Sequence, residues 1–140
     1  MGVGSDLWNQ LDTLLSKCDW DGVGSLFATD AVHVDPIGRH EGREAIVAYL
    51  EDGGTAFTDV SSPTSLVIEQ GDTTVVEYVW RATHTGPFTA GDGTVVPATG
   101  KTQELPVVAI IEVKNGKIVN MREYFDVMTT MSQLGLMPGT

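Results

Sequence analysis

The chain is poor in cysteine and in positive charge. It has one cysteine, Cys18, in 140 residues, and only eight lysines and arginines against 19 aspartates and glutamates. One cysteine cannot form an internal disulfide, which fits a reducing compartment and excludes a cysteine-based metal cluster. The net charge of −11 repels phosphate backbones and anionic lipids. We therefore expect no nucleic-acid partner and no membrane partner.

Long apolar runs are also missing. No stretch approaches the roughly 18 residues of a spanning helix, and the N-terminus lacks the basic and apolar regions of a secretory signal. These absences predict a cytoplasmic protein. The hydrophobic fraction of 41% is that of an ordinary globular chain. A chain of this length is expected to form one domain, residues 1–140, with a single core.

The first half of the sequence has helical periodicity. Apolar residues recur at helical spacing from Ser5, a predicted N-cap, to about Cys18. Asp19 is predicted to cap a short second helix, and a strand then runs to Asp35. A third helix follows from residue 42 and is predicted to end or bend at the glycine pair 53–54.

The second half alternates with period two. Four long strands are predicted, over 62–69, 73–85, 99–113 and 117–125. The loop over 86–100 is long enough to be a lid or a pocket rim. Asn115-Gly116 is a strong hairpin signal. Asp126 is predicted to cap a closing helix. The fold class is therefore α+β: a cone-shaped, curved antiparallel or mixed sheet, with three N-terminal helices over a central apolar pocket and a short C-terminal helix.

Two carboxylates stand out against this background. Asp35 opens the turn Asp35-Pro36-Ile37-Gly38 at the end of a strand, and Glu123 lies between Met121 and Phe125 on one face of the last strand. In an apolar setting desolvation would raise the pKa of Glu123, and a neutral acid could donate a hydrogen bond to an oxyanion. The same patterns also fit two carboxylates that face water.

Other polar residues share these faces. His33 lies on the face of Asp35, whereas His40 is expected in a solvated loop. Tyr78, Trp80 and His84 share one face of the second long strand, which either forms an aromatic wall or simply packs in the core.

A metal site is an alternative interpretation of the same residues. His33 and Asp35 could ligate a metal with His84 or Glu123, but the spacing matches no metal signature. We expect no metal and no cofactor. The sequence has no glycine-rich phosphate loop and no serine nucleophile motif, so covalent catalysis lacks an obvious nucleophile.

The element order and motifs resemble the nuclear-transport-factor-two-like superfamily, which includes ketosteroid isomerases, limonene epoxide hydrolases and SnoaL-like polyketide cyclases. Residues 35–38 resemble the general-base segment of the isomerases. Residues 115–126 resemble the last hairpin of the epoxide hydrolases. Residues 83–88 and 98–101 look like the SnoaL-like cyclases.

Departures from these patterns are as informative as the matches. The oxyanion-hole residues of the isomerases correspond to Leu11 and Ala109. The Arg and Asp of the epoxide hydrolases correspond to Tyr78 and Trp80, although a slip of one residue would bring Arg81 there instead. Neither reaction carries over intact.

The resemblance implies a cofactor-independent acid/base enzyme, an isomerase or cyclase, acting on a small hydrophobic ketone, polyketide or terpenoid-like substrate. An epoxide hydrolase and a non-catalytic binding or interaction module are the alternatives. A homodimer through the sheet is also expected. The candidate catalytic residues are Asp35, Glu123, Tyr78, His33 and His84. The candidate substrate-binding residues are Leu11, Trp80, Leu105, Val107, Ala109, Met121 and Phe125.

Overall fold

The computed structural model describes residues 2–138, and the helices follow the predicted order. They are α1 (Val3–Ser16), α2 (Trp20–Ser25), α3 (Arg43–Thr55) and α4 (Val127–Gln133). Within the described residues, no helix is both long enough and apolar enough to cross a lipid bilayer.

One of the predicted helix boundaries is wrong. Ser5 is not an N-cap but lies inside α1, where its backbone N–H and its hydroxyl both donate to Glu69 Oε1, at 2.8 and 3.1 Å. This contact joins residues 64 positions apart in the sequence and is invisible to local sequence rules. The prediction for the third helix is close, because α3 ends at Thr55, one residue after the glycine pair 53–54.

Two predicted caps are confirmed. The side chain of Asp19 accepts from Gly22 N–H at 2.9 Å and begins α2, and Asp126 accepts from Met128 N–H at 3.1 Å and begins α4. Each carboxylate satisfies a backbone donor that the first helical turn leaves unpaired.

The sheet is mixed and seven-stranded, in the order β2-β1-β9-β8-β5-β3, with β4 also paired to β5. Strand β1 pairs with β9 in parallel, and the other pairings in this sheet are antiparallel. Sequence reasoning missed the short strands β2 and β3 and the β6–β7 hairpin inside loop 86–100. The strands are β1 (Phe27–Asp35), β2 (Gly38–Glu41), β3 (Phe57–Ser61), β4 (Thr64–Gln70), β5 (Thr73–His84), β6 (Phe88–Thr89), β7 (Val95–Val96), β8 (Thr102–Lys114) and β9 (Lys117–Tyr124).

Register shifts interrupt four of the strand pairings, including that of β8 with β9 between Glu112 and Val113. At a bulge one strand carries an extra residue, which bends that strand and increases its twist. The sheet therefore curves around the helices, as expected for the predicted α+β fold.

The inner face of the sheet is set by strict alternation along β5 and β8. Tyr78 lies opposite Val107 and Trp80 lies opposite Leu105. Tyr78, Val107 and Leu105 are buried and Trp80 is half-buried, whereas Arg81 is exposed. The predicted register, with Tyr78 and Trp80 facing inward, is confirmed, and the one-residue slip is excluded.

Candidate active site

The strand pairings bring His33, Glu123 and Tyr78 together. His33 on β1 lies opposite Met121 on β9, which places Glu123 diagonally across from it. His33 Nε2 lies 2.8 Å from Glu123 Oε1, and the Tyr78 hydroxyl donates to Glu123 Oε2 at 2.5 Å. The predicted convergence of these three side chains is therefore present. The Tyr78 hydroxyl, however, uses its hydrogen to bind the Glu123 carboxylate.

Asp35 is held at the end of β1 by its own turn. Oδ1 accepts from the backbone N–H groups of Ile37 and Gly38, at 2.8 and 3.2 Å. Oδ2 accepts from the Tyr49 hydroxyl at 2.5 Å. The Asp-Pro-Ile-Gly segment thus fixes the carboxylate by local hydrogen bonds, while α3 supplies one more donor.

Tyr49 and His40 belong to the site, and sequence reasoning missed both. The ring of His40 on β2 is half-buried and stacks on Tyr49, with ring centroids 4.0 Å apart, so the expectation of a solvated loop is wrong. Tyr49 lies three residues after the buried Ile46, a spacing that puts both on one face of α3. That spacing is the signal that could have identified it.

The charge state of Glu123 differs from the prediction. Burial pushes the pKa of Glu123 upward, but the hydrogen bond and charge of His33, with the Tyr78 hydroxyl, outweigh it, so its pKa lies below the usual value. Glu123 is therefore an ionised acceptor, not a neutral donor. The prediction failed because it weighed only the apolar neighbours along β9.

His33 carries the complementary charge. Burial lowers the pKa of His33, whereas the hydrogen bond and charge of Glu123 and the charge of Asp35 raise it above its usual value. The His33 side chain is fully buried and that of Glu123 is 12% exposed. The two form a mostly buried ion pair, and His33 Nδ1 has no hydrogen-bond partner.

These opposite shifts predict a pH window for the stability that the pair contributes. The contribution of His33 is complete below its ordinary pKa of 6.5 and is lost as pH rises through the higher folded value. The contribution of Glu123 is complete above its ordinary pKa of 4.5 and is lost as pH falls through the lower folded value. The stability difference between wild type and Glu123→Gln, measured by urea unfolding, should be largest near pH 5.5 and smaller at pH 9.

Glu112→Gln is the matched control for this pH series. Glu112 pairs with Arg122 at 3.1 Å on a partly exposed face, where an ion pair contributes little. Its stability difference should stay small and nearly constant over the same range. A Glu123→Gln difference that grows toward pH 9 would contradict the assignment.

His84 does not join this site. It lies six residues beyond Tyr78 on β5, about 20 Å along the strand, and its ring contacts Phe57 and Phe88 instead. The family resemblance supported His84 only through its local motif. The distance along β5 keeps His84 away from Asp35 and Glu123.

Most of the candidate substrate-binding residues lie in the core. Five of the seven are at most 4% exposed, whereas Trp80 and Phe125 are half-buried at its edge. Trp8 of α1 packs on Tyr78 with ring centroids 4.7 Å apart. The five core residues are Leu11, Leu105, Val107, Ala109 and Met121.

Two cavities are outlined by described residues, and neither is lined by His33, Asp35 or Glu123. One lies between α1 and the β3–β4 connection, beside Asp12 and Arg81, with a volume of about 450 Å³. The other lies between the start of α1 and the Asn115-Gly116 turn. Asp35 and Glu123 are half-buried, whereas His33 is fully buried.

The same residues offer atoms that a divalent cation could use. One ligand atom from each of His33, Asp35 and Glu123 lies within 4.8 Å of the others. Both oxygens of each carboxylate already accept hydrogen bonds. Because a cation would have to displace these donors, the arrangement is better suited to holding protons.

Similar folds are found among solved structures. A protein from Jannaschia sp. CCS1, provisionally described as a SnoaL-like polyketide cyclase, superimposes with a TM-score of 0.84 at 20% identity, covering 97% of this chain and 94% of that chain. IdmH from Streptomyces antibioticus, provisionally described as a polyketide cyclase, gives 0.76 at 26% identity, with 94% and 97% covered. TsrD from Streptomyces laurentii gives 0.81 at 18% identity, with 96% of each chain covered.

These likenesses, together with the curved sheet and its covering helices, define a protein of the nuclear-transport-factor-two-like fold. The sequence profile of the SnoaL-like polyketide cyclases matches residues 5–134, and the chain belongs to that family. No curated protein matches the sequence.

Proposed function

We propose that this protein is a cofactor-independent acid/base enzyme, an isomerase or cyclase, acting on a small hydrophobic ketone, polyketide or terpenoid-like substrate. One observation carries the proposal: two carboxylates and an imidazole converge within 4.8 Å, with a tyrosine hydroxyl on each carboxylate. Membership in the SnoaL-like family supports the substrate class.

Asp35 is the proposed general base. The Ile37 and Gly38 amides fix Oδ1, and Oδ2 keeps one lone pair beside the hydrogen bond from Tyr49. That lone pair takes a proton from a carbon next to the substrate carbonyl. The electrons of the broken C–H bond move onto the carbonyl oxygen and form an enolate.

His33 is the proposed acid. In its protonated form Nε2–H donates to Glu123, while Nδ1–H remains without a partner and is the donor for the enolate oxygen. A donor aimed at developing negative charge typically contributes about 3 to 4 kcal/mol to transition-state stabilisation. Glu123 keeps the proton on His33, and Tyr78 holds Glu123 in place, so both are positioning residues.

The proton transfers balance. Before reaction Asp35 and Glu123 are negative and His33 is positive. After the C–H proton moves to Asp35 and the His33 proton moves to oxygen, Asp35 and His33 are neutral and Glu123 is negative. Because the net charge of the site is the same at both ends, the step needs neither a cofactor nor a counter-ion.

Hydrogen exchange tests this function. In D₂O the protein should accelerate deuterium incorporation at the carbon next to the carbonyl of an aromatic ketone such as 1-tetralone, followed by proton NMR. Ketones that bind and are recovered without exchange would favour the binding-module alternative. A parallel incubation with epoxides in ¹⁸O-labelled water should give no labelled diol, and labelled diol would favour the epoxide hydrolase.

A second copy of the chain is the proposed partner. The outer face of the sheet carries two rows aligned by the strand register, Ile68-Val75-Ile110 and Leu66-Glu77-Val108-Tyr124, which are apolar except for Glu77. Leu66 is 46% exposed, Ile68 53% and Tyr124 55%. Apolar patches of this kind mark interaction surfaces, and a two-fold axis would let one patch cover its copy.

Light scattering checks the dimer. The wild-type protein should have twice the mass of one chain, and Ile110→Glu should shift it toward the monomer because a charge would be buried at the centre of the patch. Val95→Glu, on the exposed β7 strand, is the control and should leave the mass unchanged. A wild-type monomer would refute the dimer.

A further inference from the structure

The imidazole of His40 lies in the candidate site but has no part in the proposed proton transfers. His40 on β2 is the direct cross-strand partner of His33 on β1, and the two ring centroids are 6.1 Å apart. Directly opposite residues of an antiparallel pair project from the same face of the sheet. The two imidazoles are therefore neighbours across the β1–β2 pair.

Each of these rings has one buried nitrogen that makes no hydrogen bond to the described residues. The two atoms are His33 Nδ1 and His40 Nε2. Leaving a buried polar atom unpaired costs free energy, and proteins usually satisfy such atoms with one another or with an ordered water. Two unpaired nitrogens in neighbouring imidazoles are suited to passing a proton, directly or through one water.

The two rings differ in their access to solvent. The side chain of His33 is fully buried, and its Nε2 is bonded to Glu123. The ring of His40 is half-buried, with Nε2 on the buried side and Nδ1 on the side that reaches solvent. His40 therefore lies between bulk water and the buried imidazole of His33.

Tyr49 fixes the orientation of the His40 ring. The two rings stack with centroids 4.0 Å apart and planes 20° apart, and the Tyr49 hydroxyl is bonded to Asp35. Burial, and then the positive charge of His33, lower the pKa of His40, and the charge of Asp35 does not reverse this. His40 is therefore neutral while His33 is charged, and a neutral imidazole has one nitrogen that donates and one that accepts.

We propose that His40 is a proton relay that connects solvent to His33. When a product leaves with the Nδ1 proton of His33, that nitrogen keeps a lone pair. Nδ1 of His40 then takes a proton from water, and Nε2 of His40 passes its own proton to His33 Nδ1, directly or through one water. One proton enters and one is delivered, so His40 is neutral again and His33 regains its positive charge. The relay rests on the proposed function for the role of His33 as the acid.

Exchange of the His33 ring protons with water tests the relay in the ligand-free protein. NMR saturation transfer from water, near pH 6 where His33 is protonated, measures its Nδ1–H and Nε2–H separately. In His40→Phe, which keeps a ring on Tyr49 but cannot carry a proton, exchange of Nδ1–H should slow by about 10²-fold. Exchange of Nε2–H, which is bonded to Glu123, should change little and serves as the internal reference.

Arg39→Gln is the matched control for His40→Phe. Arg39 precedes His40 on β2 and its side chain is 60% exposed, so its replacement should leave both exchange rates unchanged. His40→Gln is a second variant, whose polar side chain cannot be protonated at this pH, and it should slow Nδ1–H exchange in the same way. Nδ1–H exchange at the wild-type rate in a folded His40→Phe or His40→Gln would overturn the relay.

The readout does not depend on whether the protein turns over a ketone. Slow Nδ1–H exchange in both His40 variants, in a protein that leaves 1-tetralone unlabelled, would support the relay and refute the proposed reaction. Wild-type exchange in the His40 variants, in a protein that labels 1-tetralone, would support the reaction and refute the relay.

Discussion

Asp35→Asn should lower kcat/KM by about 10²- to 10⁴-fold, the usual contribution of a general base. Asparagine keeps an oxygen for the Ile37 and Gly38 amides, so the turn should retain its geometry. It loses the lone pair and charge that remove the substrate proton. Circular dichroism and substrate affinity should therefore stay near the wild-type values while turnover falls.

Asp30→Asn is the matched control for this variant. Asp30 lies on the same strand β1 and is exposed. Its replacement removes the same charge from the protein without touching the site, so its rate should equal that of the wild type. If Asp35→Asn also turns over at the wild-type rate, Asp35 is not the base.

His33→Leu should cost about 3 to 5 kcal/mol of unfolding free energy, because it leaves a mostly buried carboxylate without its charge partner. Urea unfolding at pH 7 measures this loss. The deficit should shrink at acidic pH, where Glu123 is protonated. In this variant burial raises the pKa of Glu123, because the charge of His33 no longer opposes it.

The double variant His33→Leu/Glu123→Met separates pairing from packing. Replacing both partners of a buried pair by apolar groups is often nearly neutral, although Tyr78 here loses its acceptor. The double variant should therefore lose less than the sum of the two single variants. Losses that simply add would show that the two side chains act independently.

The parts of the fold that were predictable rest on periodicity. Alternation along β5 and β9 placed Tyr78 and Glu123 on inner faces, and local capping chemistry placed Asp19 and Asp126 at helix starts. These features depend on residues a few positions apart. The short strands β2 and β3 were not predicted, because four or five residues are too few to show a clear period-two alternation.

The site was predictable only in outline. Its two carboxylates followed from the motifs, but the charge of Glu123 depends on His33, which is 90 residues away in sequence. Tyr49 could be placed beside Asp35 only after the packing of α3 was known. Ionisation and hydrogen-bond partners are properties of the tertiary structure, which no local pattern records.

The parallel pairing of β1 with β9 has a consequence for biosynthesis. It joins the strand that carries His33 to the strand that carries Glu123, 90 residues later in the sequence, and closing so large a loop costs entropy and slows folding. A growing chain that lacks β9 has Asp35 but no Glu123 to hold a proton on His33. In the proposed mechanism the protein therefore gains its acid–base pair only when β9 docks against β1.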